Sequence, residues 1–239
     1  MIGILRFNDH CHWTVIEFTR VLQQVKNMNK KFYSHNDVEG FNDWFHDNPS
    51  IFHSAVGAIR EMLPTGKKAG VEICCGTDIF SRVLGIPCCN PPHFSKSGNV
   101  SPLEFSIREN EEIKLPFEDL QMDYVLFSHC DNPLEDIHSI FKEAYRSLKI
   151  NGVLVVAFID SKSPAGMQYT LRLIESRDYK NSIANLAEKI MFELSLAGFK
   201  HFEFIQTLFT PPGEIIYVQR PKPGYGEGAF VVVQARKKI

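Results

Sequence analysis

The segment Val71-Glu72-Ile73-Cys74-Cys75-Gly76-Thr77-Asp78 runs from an extended apolar stretch through a glycine into the helical pattern of residues 79–84. A strand that turns through glycine into a helix presents the helix's first backbone N–H groups, which lack intrahelical partners, to whatever lies outside the turn. Those donors suit an anionic ligand end such as a carboxylate. Thiols crowd the same turn. Cys74-Cys75, Cys88-Cys89 and His129-Cys130 would gather at one sheet edge if the first strand lay between the second and the fourth. Side chains alternate in face along a strand, so one member of each adjacent pair would reach the crevice. Two or three thiolates with an imidazole form a donor set for a soft metal such as zinc. The adjacent pairs lack the C-x-x-C spacing of zinc sites, however, and free cysteine is among the most commonly buried residues. The spacing favours small buried hydrophobes, and no metal ligand is assigned.

Holding such residues takes a sheet and its helices. Short extended runs are expected at 71–76, 85–89, 103–107, 122–127, 153–159, 202–209 and 229–235, with helical periodicity at 51–62, 79–84, 134–148, 166–179 and 183–196. Asn48-Pro49-Ser50 and Pro64-Thr65-Gly66 bound the first of these helices, and Ala197-Gly198-Phe199 closes the last. The near-continuous apolar run 153–159 belongs to a strand buried on both faces. Strands alternating with helices, ending in two strands with no helix between them, predict an α/β fold with a mostly parallel sheet and an antiparallel last strand. In such a sheet the ligand sits beyond the carboxyl ends of the strands, where the winding reverses. Ahead of it, Trp13, Ile16, Phe18, Val21, Leu22 and Val25 recur at helical steps, as a lid or docking helix would place them.

The chain has 239 residues, enough for one sizeable core with a small cap. Apolar residues make up 44% and charged residues 23%, which excludes disordered and low-complexity classes. The 26 Lys+Arg against 28 Asp+Glu leave a net charge of -2, so no nucleic-acid partner is expected. No apolar run approaches the roughly 20 residues that span a bilayer, so no membrane partner is expected either. No secretory leader is visible in the opening residues, and the six cysteines lack the framework of a small secreted scaffold. Reduced thiols in a cytoplasm are the expectation.

At this point the chain resembles the class I S-adenosylmethionine-dependent methyltransferases of the methyltransferase-11 type. The segment Gly70 to Ser81 looks like motif I, Leu115-Pro116-Phe117 with Met122-Asp123-Tyr124-Val125-Leu126 like the L-P-F and F-D-x-V elements, and Phe141 to Gly152 like the E-x-x-R-x-L-K-P-G-G helix end. Phe158 to Pro164, Gln206 to Phe209 and Gly224 to Phe230 are similar to an uncharacterised bacterial and archaeal subgroup, and Phe32 to Trp44 looks like its aromatic lid. The resemblance implies a Rossmann-like three-layer sandwich with a seven-stranded sheet, a helical and aromatic lid at 1–50, and a methyltransferase domain at 51–239.

The same resemblance implies S-adenosylmethionine as cofactor and methyl transfer to a small, unidentified acceptor. Glu72 and the backbone of Cys74, Cys75, Gly76 and Thr77 would face the methionine moiety. Asn90 stands where the family has an acid ending the second strand, Glu111 or Glu112 stands near the adenine contact, and Phe127, Ser128 and His129 follow the fourth strand beside the sulfonium. His129, which titrates near neutrality, is the candidate base. The family pattern is kept at Gly76 and lost at Cys74 and Asp78, where glycine gives way to bulk and to negative charge. Asn90 offers one uncharged acceptor where a carboxylate would accept two ribose hydroxyls. Two alternatives follow: a catalytically silent binding module on the same fold, or a thiol-rich metal or redox site in the crevice.

Overall fold

A computed structural model describes residues 44–66, 68–73, 79–90, 103–104, 114–128, 137–175 and 187–238. The amphipathic stretch 13–25, most of the aromatic segment 32–44, and Cys74 to Asp78 lie outside those residues.

Every residue from Gly152 to Ile159 is buried, as expected of a strand covered on both faces. It forms most of β5 (Leu148–Ile159), which lies between parallel β4 (Met122–Phe127) and antiparallel β8 (Phe230–Arg236). The remaining strands are β1 (Gly70–Ile73), β2 (Cys88–Asn90), β3 (Leu103–Glu104), β6 (Lys200–Thr207) and β7 (Lys222–Pro223). Their order is β3-β2-β1-β4-β5-β8-β6-β7. This is the Rossmann-like α/β sheet, with the last strand antiparallel and inserted between β5 and β6. The two-residue β7 makes an eighth strand at the edge, where Pro223 withholds no ladder donor from a further neighbour.

Two apolar clusters sandwich the sheet. On one face α1 (Pro49–Met62) and α2 (Ile79–Leu84) pack over Tyr124, Leu126, Val155 and Val232. The stripe Ile51, Ala55, Ala58, Ile59 and Met62 lies on the buried side of α1, and Pro49 starts the helix where no N–H is missed. On the other face α3 (Ile137–Ser147) and α5 (Ala187–Leu196) cover Val71, Ile73, Phe127, Leu154 and Val231. Gly198, at φ 103°, ends α5 as a glycine can and most residues cannot. Between β5 and α5 the chain inserts α4 (Pro164–Glu175), whose Ala165 and Tyr169 join the α1/α2 cluster.

Arg146 in the last turn of α3 ties the 115–119 loop to the helix. Its guanidinium reaches Glu143 at 2.8 Å and Asp119 at 2.7 Å, while Glu143 accepts the Leu115 N–H at 2.9 Å. Burial alone would raise the Glu143 carboxyl, but the Arg146 and Leu115 donors outweigh it and hold it below the ordinary carboxylate value. Asp123 is likewise held low by the Ala69 N–H and by Lys149. A carboxyl whose folded pKa is depressed adds stability above its unfolded pKa and loses it as pH falls through the folded one. Stability is therefore expected to stay level down to about pH 4.5 and to fall below it. In urea titrations at about pH 7 and about pH 3, Glu143→Gln is expected to lose about 1 kcal/mol at the higher pH and to show a shallower acid limb.

Candidate active site at the carboxyl edge of the sheet

From β1 the sheet winds one way through β2 to β3, and from β4 the other way to β5. The helices that follow β1 and β4 in the chain, α2 and α3, lie on opposite faces of the sheet, the arrangement that places a ligand crevice beyond the carboxyl ends of those two strands. Ile73 of β1 is level with Phe127 of β4 and Glu72 with Leu126, so Ser128 stands just past the end of β4 on the face that Glu72 shares. Glu72 is 0% exposed and Ser128 2%. The Ser128 hydroxyl donates to Glu72 Oε1. A cation brought against a carboxyl fixed in this way would favour its ionised form and, in that low-dielectric position, would be attracted far more strongly than in water.

Strand alternation sorts the other expected site residues. Phe127 points to the α3/α5 face and meets Phe141 edge-on at 6.0 Å, so its ring serves the core and its backbone alone borders the crevice. Cys89 lies on that same face, fully buried and in no disulfide, and burial pushes its thiol up to about 12. At that value it supplies neither nucleophile nor ligand near neutral pH. Cys88, level with Glu72, is disulfide-bonded, which departs from the expectation of reduced thiols. Among the described residues no group of three His, Cys, Asp or Glu side chains could hold a metal. The backbone of Asn90 ends β2 at the same sheet edge, level with Glu104. Cys74, Cys75, Gly76, Thr77, Glu111, Glu112 and His129 lie outside the described residues.

Sequence reasoning placed Trp44 in an aromatic lid but missed the aromatic cluster that it joins on the α1/α2 face of the sheet. Trp44 and Phe45 from the helical turn 44–47, Phe52 of α1, Phe80 of α2 and Tyr169 of α4 come together there. Trp44 meets Phe45 at 5.1 Å and Tyr169 at 6.4 Å, and Phe45 meets Phe52 at 5.4 Å and Phe80 at 5.6 Å. The available signal was the inserted helix itself, carrying a large aromatic between a core strand and its ordinary crossover helix.

Asp160 anchors that insertion. Its Oδ1 accepts the Lys162 N–H at 3.2 Å, a bond to the Ala187 backbone ties it to the start of α5, and burial is the main influence raising its carboxyl. Ser163 caps α4: its hydroxyl donates to the Asp160 carbonyl at 3.0 Å and accepts the Gly166 N–H at 2.8 Å. A cavity of about 280 Å³ opens at the opposite, amino-terminal edge, lined by Lys68, Asp123, Lys149 and Arg236 among others. Asp123 is already engaged there by Ala69 and Lys149, so the cavity floor is an ion-paired brace.

This geometry has counterparts among known proteins. Residues 63–156 match the methyltransferase-11 family model, described as a methyltransferase domain. A solved S-adenosylmethionine-dependent methyltransferase from Thermotoga maritima, described as a possible histamine N-methyltransferase, is 33% identical. It aligns over 85% of this chain and 98% of its own, with a TM-score of 0.71. The chain belongs to the S-adenosylmethionine-dependent methyltransferases. An uncharacterised protein of Methanocaldococcus jannaschii is 29% identical over 202 residues, 84% of this methyltransferase and 96% of the relative. An S-adenosylmethionine-dependent methyltransferase from Archaeoglobus fulgidus, 13% identical with a TM-score of 0.56 over 82% and 99% of the two chains, shares the fold. The cofactor of this methyltransferase is S-adenosylmethionine. Among the described residues no helix is long and apolar enough to cross a membrane.

Proposed function

We propose that this methyltransferase moves a methyl group to a small acceptor bound at the carboxyl edge between β1, β4 and α4. The observation that carries the reading is the buried Glu72–Ser128 pair at the winding reversal. A fixed carboxylate there fits the cationic amino group of the methionine end. The cofactor brings a methyl already activated on a sulfonium, so positioning supplies most of what the protein must add. Glu72 holds the ammonium, and Ser128 keeps the Glu72 carboxylate oriented. Asn90 takes the ribose side with a single uncharged acceptor. The aromatic wall excludes water, and residues 1–50 serve as the lid over the domain at 51–239. His129 takes the proton where the acceptor has one to lose. The description of the Thermotoga maritima relative makes histamine the first acceptor to assay.

Calorimetry and thermal denaturation with S-adenosylmethionine and S-adenosylhomocysteine test this. At 100 times its dissociation constant either ligand is expected to stabilise the fold by about 2.7 kcal/mol. Asn90→Asp is expected to tighten both about tenfold, by restoring a charge-assisted bond worth about 1.4 kcal/mol. No stabilisation at ligand concentrations on the order of millimolar would leave a silent binding module in place of an enzyme.

A further inference from the structure

The hydroxyl of Tyr169 is buried and has no hydrogen-bond partner among the described residues, and the residue as a whole is 1% exposed. Buried polar atoms are nearly always hydrogen-bonded, and an orphan costs free energy comparable to a lost bond. A phenylalanine would fill the same apolar place without that cost. Desolvation also raises the Tyr169 pKa, so the group stays a neutral hydroxyl, able to donate one bond and accept another.

The position is as telling as the missing partner. Tyr169 sits on α4, which is inserted straight after the carboxyl end of β5 and packs on the α1/α2 face of the sheet. Trp44 presents its ring to Tyr169 nearly perpendicularly, with an interplanar angle of 77°, and Phe45, Phe52 and Phe80 continue the wall toward the helix that follows the motif I turn. Four separate segments thus bring aromatic rings together on the α1/α2 face of the sheet, and among them the Tyr169 hydroxyl is the buried polar atom with no partner among the described residues.

We infer that these rings form the acceptor subsite, and that the acceptor is a small, planar, ring-bearing molecule whose nitrogen or oxygen hydrogen-bonds the Tyr169 hydroxyl. Flat rings pack edge-on or offset against aromatic side chains at a net gain beyond area alone, whereas a saturated ring of the same size forgoes that term. The bond to Tyr169 fixes which edge of the acceptor turns toward the cofactor. The inference rests on the methyltransferase reading of the same crevice.

The test titrates the full chain, saturated with S-adenosylhomocysteine, with histamine, tyramine and tryptamine as planar probes and cyclohexylethylamine as the saturated control. At least one planar probe is expected to bind, with the control about tenfold weaker or undetectable. Tyr169→Phe is expected to weaken that probe about tenfold while leaving S-adenosylhomocysteine affinity unchanged and thermal stability equal or higher. Equal probe binding by Tyr169→Phe overturns the inference, as does a Phe variant that loses stability but no affinity, which would make the hydroxyl a structural, water-bridged group. Binding of S-adenosylhomocysteine without any planar probe also overturns it and leaves the methyltransferase reading intact. Failure of S-adenosylhomocysteine to bind removes that reading and the inference together.

Discussion

Glu72→Ala is expected to lower affinity for S-adenosylmethionine by about a hundredfold or more, the upper end of what one hydrogen bond to a charged group contributes. Glu72 is wholly buried at the point where β1 and β4 diverge, and its carboxylate is held by the Ser128 hydroxyl. Alanine removes the charge, leaves Ser128 without its acceptor and opens a void. Glu72→Gln separates those effects, because an amide keeps the volume and an acceptor for Ser128 but carries no charge. It is expected to lose about tenfold in affinity, with stability unchanged or slightly raised, since a buried carboxylate is costly to desolvate. Ser128→Ala leaves the charge and loses the orienting donor, and its effect falls below that of Glu72→Gln. Calorimetry with S-adenosylhomocysteine on each variant, with circular dichroism to confirm the fold, reads all three. If Glu72→Gln binds as tightly as the wild type, the charge has no part in cofactor binding and the carboxylate is a structural brace.

The architecture was largely legible in the sequence because its signals are local. The element 122–127 was read to the residue, and its apolar residues divide between the two faces, Val125 and Phe127 toward Phe141 and Tyr124 and Leu126 toward α1. Boundaries failed where tertiary pairing overrode local pattern. β5 starts at Leu148, directly after α3, because Leu148 pairs with Met122 and the chain then bends at Asn151, φ 68°, and shifts register before Val153. Two-residue β7, with its proline, has no strand signal and exists through Gln206 and Ile205 alone. The start of α4 was readable but missed: Ser163-Pro164 is a cap followed by proline at the first helical position. The candidate site was legible in part. Glu72 and Ser128 were singled out, yet 56 residues separate them, and only the parallel register of β1 and β4 makes them partners. The orphan hydroxyl of Tyr169 depends on three-dimensional neighbours and leaves no trace in spacing.

That same cap carries the second large effect. Gly166→Ala is expected to destabilise the fold by about 3 kcal/mol and to lower the melting temperature by about 6–12 °C. A Cβ at Gly166 would stand 1.9 Å from the Asp160 carbonyl oxygen and 2.7 Å from the Ser163 hydroxyl. The first contact is backbone, so no rotamer change relieves it. Either α4 lifts away from the end of β5 or β5 itself shifts, and both routes break the Ser163 cap and loosen the Asp160 tie to α5. Lifting α4 also carries Tyr169 away from Trp44, so the damage should be uneven across the crevice. S-adenosylhomocysteine, which the proposed function seats on the β1 and β4 edge, is expected to bind the folded fraction of the variant nearly normally, while affinity for the planar probes falls with the displaced aromatic rings. Gly57→Ala on α1, where an added Cβ meets nothing within 4 Å, adds the same methyl without a clash and serves as the control. A Gly166→Ala protein that melts with the wild type would show that α4 is not docked on β5 through this cap, and the acceptor side of the crevice would then lose the support assigned to it.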